Sequence, residues 1–253
     1  AGIKAAQLFS HTAAFDRIEA QSYALLPNRI VNSEFNIAHC GAAKRRGYDS
    51  LAELFDSLAA VIAEPGRKFV YAYFPEIDSL AHAHGIRSRE VALRYAELDQ
   101  QLNRFIDRAC GTDTILVVTA DHGFIDSGPD RVIELSQHSQ LSAMLMLPLC
   151  GERRAAYCYV RPGRSQEFER YVATRLESFT DLHRSEELIE EGYFGLGAPH
   201  PELRRRIGDY TLVMKDNYVI KDWLPGERRH VHIGVHGGVS REEMEVPLVL
   251  IEL

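Results

Sequence analysis

The sequence predicts an α/β fold built on a mostly parallel sheet with helices on both faces. Three observations lead there. Phe69 to Phe74 is apolar along its whole length, as strands buried on both sides are, and Thr114 to Thr119 reads as a second buried strand. Segments with a helical apolar period alternate with these runs. Both strands end at an acidic motif, and in open parallel sheets ligands bind beyond the carboxyl ends of strands.

The elements follow in order. Ala13 to Gln21 reads as a helix, and Gln21 to Leu26 as a short strand stopped by Pro27. Ser50 and Glu53 form a capping box for a helix to about Ala63, with Leu51, Leu54, Phe55, Leu58 and Ile62 on one face. Pro65 and Gly66 end it. After the strand at Phe69, Ser88 caps a long helix whose stripe runs Val91, Tyr95, Leu98, Leu102, Phe105 and Ala109. From Leu141 the character changes. Met144 to Leu147 and Ala156 to Val160 read as strands, Ser165 to Ser178 as a helix, and Asp209 to Asp222 as a hairpin turning at Asp216 and Asn217. Residues 141–230 are therefore expected to form a small α+β insert in a single domain spanning 1–253. Pro247 to Leu253 closes the chain as another buried strand.

Composition bounds the function. The chain has 253 residues, 45% apolar and 26% charged, and a formal net charge of −7. That balance argues against a nucleic-acid-binding surface. The runs Lys44, Arg45, Arg46 and Arg204, Arg205, Arg206 read as solvated surface. An acidic protein that handles an anion must bring positive charge to the site, and metal ions supply it. Cys40, Cys110, Cys150 and Cys158 show no ribbon or redox spacing; Cys110 and Cys150 lie in apolar stretches and read as small core residues. With no disulfide framework the cytoplasm is slightly favoured as the compartment. No apolar run is long enough for a membrane span, and no signal peptide is visible.

Three turns carry the chemistry. In Asp78-Ser79-Leu80-Ala81-His82 the Asp and His share a face if the intervening turn is helical, and can then share a divalent ion. The alternative is a capping Asp with a solvated His. His84 lies nearby; a substitute ligand or a substrate contact is the alternative, but it reads as a residue behind the ligands or on the surface. In Thr119-Ala120-Asp121-His122-Gly123 a buried strand delivers an acid and an imidazole to its end, where burial is costly unless something binds them. A hydrogen-bonded Asp–His pair is the plainer reading. The third turn, Gly234-Val235-His236-Gly237-Gly238-Val239-Ser240, holds a His between glycines, followed by Glu242, Glu243, Met244 and Val246-Pro247-Leu248. His230 and His232 alternate before it and read as an exposed strand face. Two Asp and three His suit zinc, with manganese as an alternative.

Taken in order, these motifs resemble the alkaline phosphatase superfamily, and most closely its type I phosphodiesterase/nucleotide pyrophosphatase branch. The resemblance implies a three-layer α/β/α fold and two divalent ions, most simply zinc. It assigns one ion to Asp78, His82 and His236 and the other to Asp121 and His122, joined by a further Asp and a nucleophilic Ser or Thr. The last two are expected upstream of this sequence; Ser10, His11 and Thr12 offer hydroxyls but lack the strand and Asp. The implied activity is metal-dependent hydrolysis of phosphodiester or nucleotide pyrophosphate bonds in small-molecule substrates, slow or absent in this chain alone. Phosphonate or sulfate ester hydrolysis in another branch, or non-catalytic metal binding, are the alternatives.

Overall fold

The computed structural model describes residues 7, 9, 11–227, 229 and 231–253. Ser10 and His230, named above, lie outside them. The fold is mixed α/β with a parallel sheet, and the chain forms two compact units. One comprises Ala1–Asp78, Ala92–Val118 and Leu248–Leu253; the other comprises Ser79–Val91 and Thr119–Pro247.

In the first unit, the strand Gln21–Pro27 is central to a three-stranded parallel sheet, flanked by Lys44–Tyr48 and Lys68–Ala72. Parallel neighbours need crossovers, and helices supply them. Glu34–Cys40 lies in the first crossover and Leu51–Ala63 in the second. Ser50 caps Leu51–Ala63, its side chain accepting from Glu53 N at 3.2 Å. The Glu53 carboxylate reaches one residue further than a capping box does, accepting from Asp49 N at 2.8 Å. Leu51, Leu54, Phe55 and Val61 pack with Tyr23, Leu25, Phe105 and Ala109 in one apolar cluster.

Two expectations fail here. Residues 13–21 form only a 3₁₀ turn, Ala14–Arg17, before the strand begins. And the strands read as buried on both faces are buried on one. Val70 and Leu116 reach the apolar cluster, whereas Phe69, Tyr71, Ile115 and Val117 on the opposite faces are exposed. The closing strand Leu248–Glu252, paired with Ile115–Thr119, is largely exposed as well. Leu98, Leu102, Phe105 and Ala109 of the helix Arg89–Ala109 pack inward as the period requires, but Tyr95 is 63% exposed.

The second unit is organised around a four-stranded antiparallel sheet, in the order Cys150–Gly151, Ala155–Cys158, Tyr210–Met214, Thr180–Arg184. Phe168 and Val172 of the helix Ser165–Arg175 pack with Ala156, Cys158 and Leu212 from this sheet. Residues 144–147 are not a strand. Ser139–Met144 is a helix, and Leu141, Met144 and Leu145 are buried at helical spacing. The expected hairpin is absent too. The chain turns at Asp216, but Tyr210–Met214 joins the antiparallel sheet while Val219–Lys221 pairs in parallel with Val132–Glu134. Nor are Cys110 and Cys150 core residues: Cys110 is exposed and Cys150 half-buried, and the buried thiols are Cys40 and Cys158. Apolar sequence neighbours did not reveal which face each occupies.

Candidate metal centre

Two short pairings bring the histidine motifs together. Ile125–Asp126 and Gly234–Val235 form an antiparallel pair in the register Val235 with Ile125 and Gly234 with Asp126. One residue beyond that register, Phe124 and His236 are side by side, with ring centroids 5.1 Å apart. His122 then stacks on His236 at 3.6 Å and 11°. The helix Glu76–His84 is tied to the same strand: Ile233 N donates to His82 O at 2.9 Å, and His82 Nδ1 lies 2.9 Å from Gly234 O.

The turn between Asp78 and His82 is helical, which sets the two residues one turn apart on a single face. Ligand atoms of Asp78, His122 and His236 all lie within 4.8 Å of one another, and each residue is half-buried. His82 is outside that group of three; its ring is 5.2 Å from that of His236. Asp121 is also outside it. Its side chain is 74% exposed, with Oδ1 3.7 Å from His122 Nε2. His84 is exposed at the helix end, and His11 sits against His39 at 5.2 Å. His232 departs from the reading of an exposed strand face. It is half-buried outside any strand, its ring 4.4 Å from that of His82.

The donor set fits a divalent cation. His82 Nδ1 faces the Gly234 carbonyl, and His122 Nδ1 faces the Gly123 carbonyl at 3.0 Å. A carbonyl only accepts, so these contacts suit the tautomer with its proton on Nδ1, in which Nε2 is the ligating atom. Ligating histidines are commonly oriented in this way. Carboxylate oxygen with imidazole nitrogen suits zinc and accommodates manganese.

The glycines are required by close approach. A Cβ on Gly123 would sit 1.9 Å from Glu242 O, so no side chain fits where the His122 turn crosses the chain after Ser240. A Cβ on Gly238 would lie 2.7 Å from Glu243 Oε2. That carboxylate belongs to a buried pair which the sequence reading left without a role. Arg154 Nη2 donates to Glu243 Oε2 at 3.0 Å, with both side chains almost fully buried. Burial pushes the Glu243 carboxyl up, but the bonds from Arg154, Ser240 and Gly238 outweigh it and hold the group below its ordinary value. The pair is 89 residues apart in sequence, so no local pattern announces it.

Known proteins resemble the chain in fold. Murine ectonucleotide pyrophosphatase/phosphodiesterase 5 superposes with a TM-score of 0.63 at 17% identity, covering 92% of this chain and 61% of that one. An inactive variant of that murine protein was solved in complex with AMP. Phosphonoacetate hydrolase from Sinorhizobium meliloti 1021, solved with phosphonoformate, gives 0.63 at 17% identity over 94% of this chain and 66% of that one. Over 68 residues the chain is 37% identical to the catalytic subunit of mouse GPI ethanolamine phosphate transferase 3, which is 26% of this chain but 6% of that protein. The chain thus spans a small part of its curated relatives and under two thirds of the murine pyrophosphatase. The type I phosphodiesterase/nucleotide pyrophosphatase profile matches residues 1–238, nearly the whole chain, and the chain belongs to that family.

Proposed function

We propose that this chain carries the metal centre of a hydrolase acting on phosphodiester or nucleotide pyrophosphate bonds, with zinc as the ion. The observation that supports this best is the convergence of Asp78, His122 and His236 to within 4.8 Å. Asp78, His82, Asp121, His122 and His236 are the proposed ligands. His122 and His236, drawn from the two expected ligand sets, are in ring contact. Bound divalent metal supplies Lewis acidity toward the phosphoryl oxygens and lowers the pKa of an attacking hydroxyl or water.

The chain's own residues orient and enclose. Gly234 O and Gly123 O fix the His82 and His122 rings so that Nε2 is the ligating atom. Phe124 lies edge-on to the His82, His122 and His236 rings and limits their rotation. The carboxylates of Asp78 and Asp121 act as ligands and leave no general-base role among the five residues. No hydroxyl of the described residues is assigned as nucleophile. Likeness to phosphonoacetate hydrolase keeps phosphonate cleavage as a second reading of the same centre. Turnover of bis(p-nitrophenyl) phosphate, a nucleotide pyrophosphate and phosphonoacetate, measured side by side with added zinc, tests the proposal. Turnover of either phosphoester, slow in this chain alone and falling on chelation, is the expected result. Cleavage of phosphonoacetate alone would overturn the phosphoester reading.

A further inference from the structure

One residue anchors the chain beyond each of the two stacked histidines. The Glu243 carboxylate accepts from Gly238 N at 2.9 Å, two residues after His236. The Glu243 backbone carbonyl accepts from Gly123 N at 2.8 Å, one residue after His122. Arg154 in turn fixes the carboxylate. Its Nε and Nη2 donate to Glu243 at 3.1 and 3.0 Å, while Nη1 donates to Tyr218 O at 2.6 Å. Arg154 is 1% exposed and Glu243 2%.

We infer that Glu243, held in place by Arg154, is a positioning residue: the acceptor it offers Gly238 N sets the separation of His122 and His236 and thereby the affinity of the centre for its metal. This rests on the metal reading above. A buried ion pair is a poor stabiliser: replacing both partners by apolar groups of similar size is often neutral or favourable. What such a replacement removes here is the acceptor for Gly238 N, the bond that ties down the His236 loop. Partners that orient metal ligands in this indirect way typically contribute roughly 10–100-fold in metal affinity.

The test compares two double variants with the wild-type chain. Arg154→Met/Glu243→Leu removes both charges and the acceptor. Arg154→Met/Glu243→Gln removes both charges but keeps an amide oxygen facing Gly238 N. Zinc affinity is read by competition with a chromophoric chelator, ligand geometry by the visible spectrum of the cobalt(II) form, and folding by thermal melting of the metal-free protein. We expect the Leu variant to melt at or above the wild-type temperature yet bind zinc at least about 10-fold more weakly, with an altered cobalt spectrum. The Gln variant should bind within about threefold of wild type. Wild-type affinity in the Leu variant would overturn the inference, and so would an equal loss in both variants. Should the Leu variant not fold, Arg154→Met/Glu243→Met, which also lacks the acceptor, replaces it: a loss of about 10-fold in affinity upholds the role of the acceptor and wild-type affinity refutes it. His122→Ala separates the two levels of the argument. If it binds zinc as tightly as wild type, the metal reading fails and the clamp fails with it. If His122→Ala loses zinc while the Leu variant does not, only the clamp is refuted.

Discussion

Breaking the buried pair on one side only should be far more damaging than removing it whole. Glu243→Leu leaves the Arg154 guanidinium in a site 1% exposed with no counter-charge, and Arg154→Met strands the Glu243 carboxylate among Gly238 N, Ser240 N and apolar surroundings. Removing one partner of such a pair typically costs about 3–5 kcal/mol, whereas replacing both is near neutral. The two single variants should therefore each lose about 3–5 kcal/mol and the double variant close to none, a coupling of several kcal/mol. Trp223 is the only tryptophan and lies in the second unit, so its fluorescence in urea reports the unit that holds the pair. The wild-type pair carries a pH signature as well. Because the Glu243 carboxyl lies below its ordinary value when folded, its contribution is complete above the ordinary carboxylate range and is lost as pH falls through the lowered folded value. The double variant should lack that component of acid unfolding. Single variants as stable as wild type, or costs that simply add in the double variant, would refute the reasoning.

Other predictions test separate parts of the structure. Gly123→Ala places a methyl 1.9 Å from a backbone oxygen, so the His122 turn must move; zinc affinity should fall by at least about 10-fold, as a chelator competition would show. Unchanged affinity would mean that the turn is not fixed by that crossing. Of the four thiols, Cys110 should react first with a chromogenic disulfide reagent in the folded protein. Cys40 and Cys158 should react only after denaturation, since burial raises both thiols and denies access. Leu212→Ala, in the core of the second unit, should cost about 2–5 kcal/mol in the Trp223-monitored transition. A smaller loss would show that the cluster around Phe168 can collapse onto the space.

What the sequence disclosed depended on how local the cause was. Helix caps at Ser50 and Ser88 and the apolar stripe from Leu98 to Ala109 are set by neighbours three and four residues apart, and they were legible. Strand partners were not. The turn at Asp216 is real, yet the strands on either side of it join different sheets, because pairing is decided by distant segments. Uniformly apolar strands carried no mark of which face stays open, so Ile115, Val117 and Leu248 were expected to be buried. At the site, the motifs identified the turns that hold the clustered residues. The resemblance groups Asp78 and His236 with His82, and the ligand atoms that lie within 4.8 Å of one another are those of Asp78, His122 and His236. Arg154 stayed hidden because its partner is remote in sequence. His232 stayed hidden because its alternation with His230 suggested a strand that is not formed at His232.

The assignment of Asp78, His122 and His236 as metal ligands is decided by zinc bound per chain, measured after dialysis against buffered zinc in the wild-type protein and in Asp78→Asn, His122→Ala and His236→Ala variants whose metal-free melting temperatures match wild type. At least one equivalent of zinc is expected in the wild type, and a loss of binding in each variant. A wild-type chain that binds no zinc or manganese, or variants that retain the full equivalent, would contradict it.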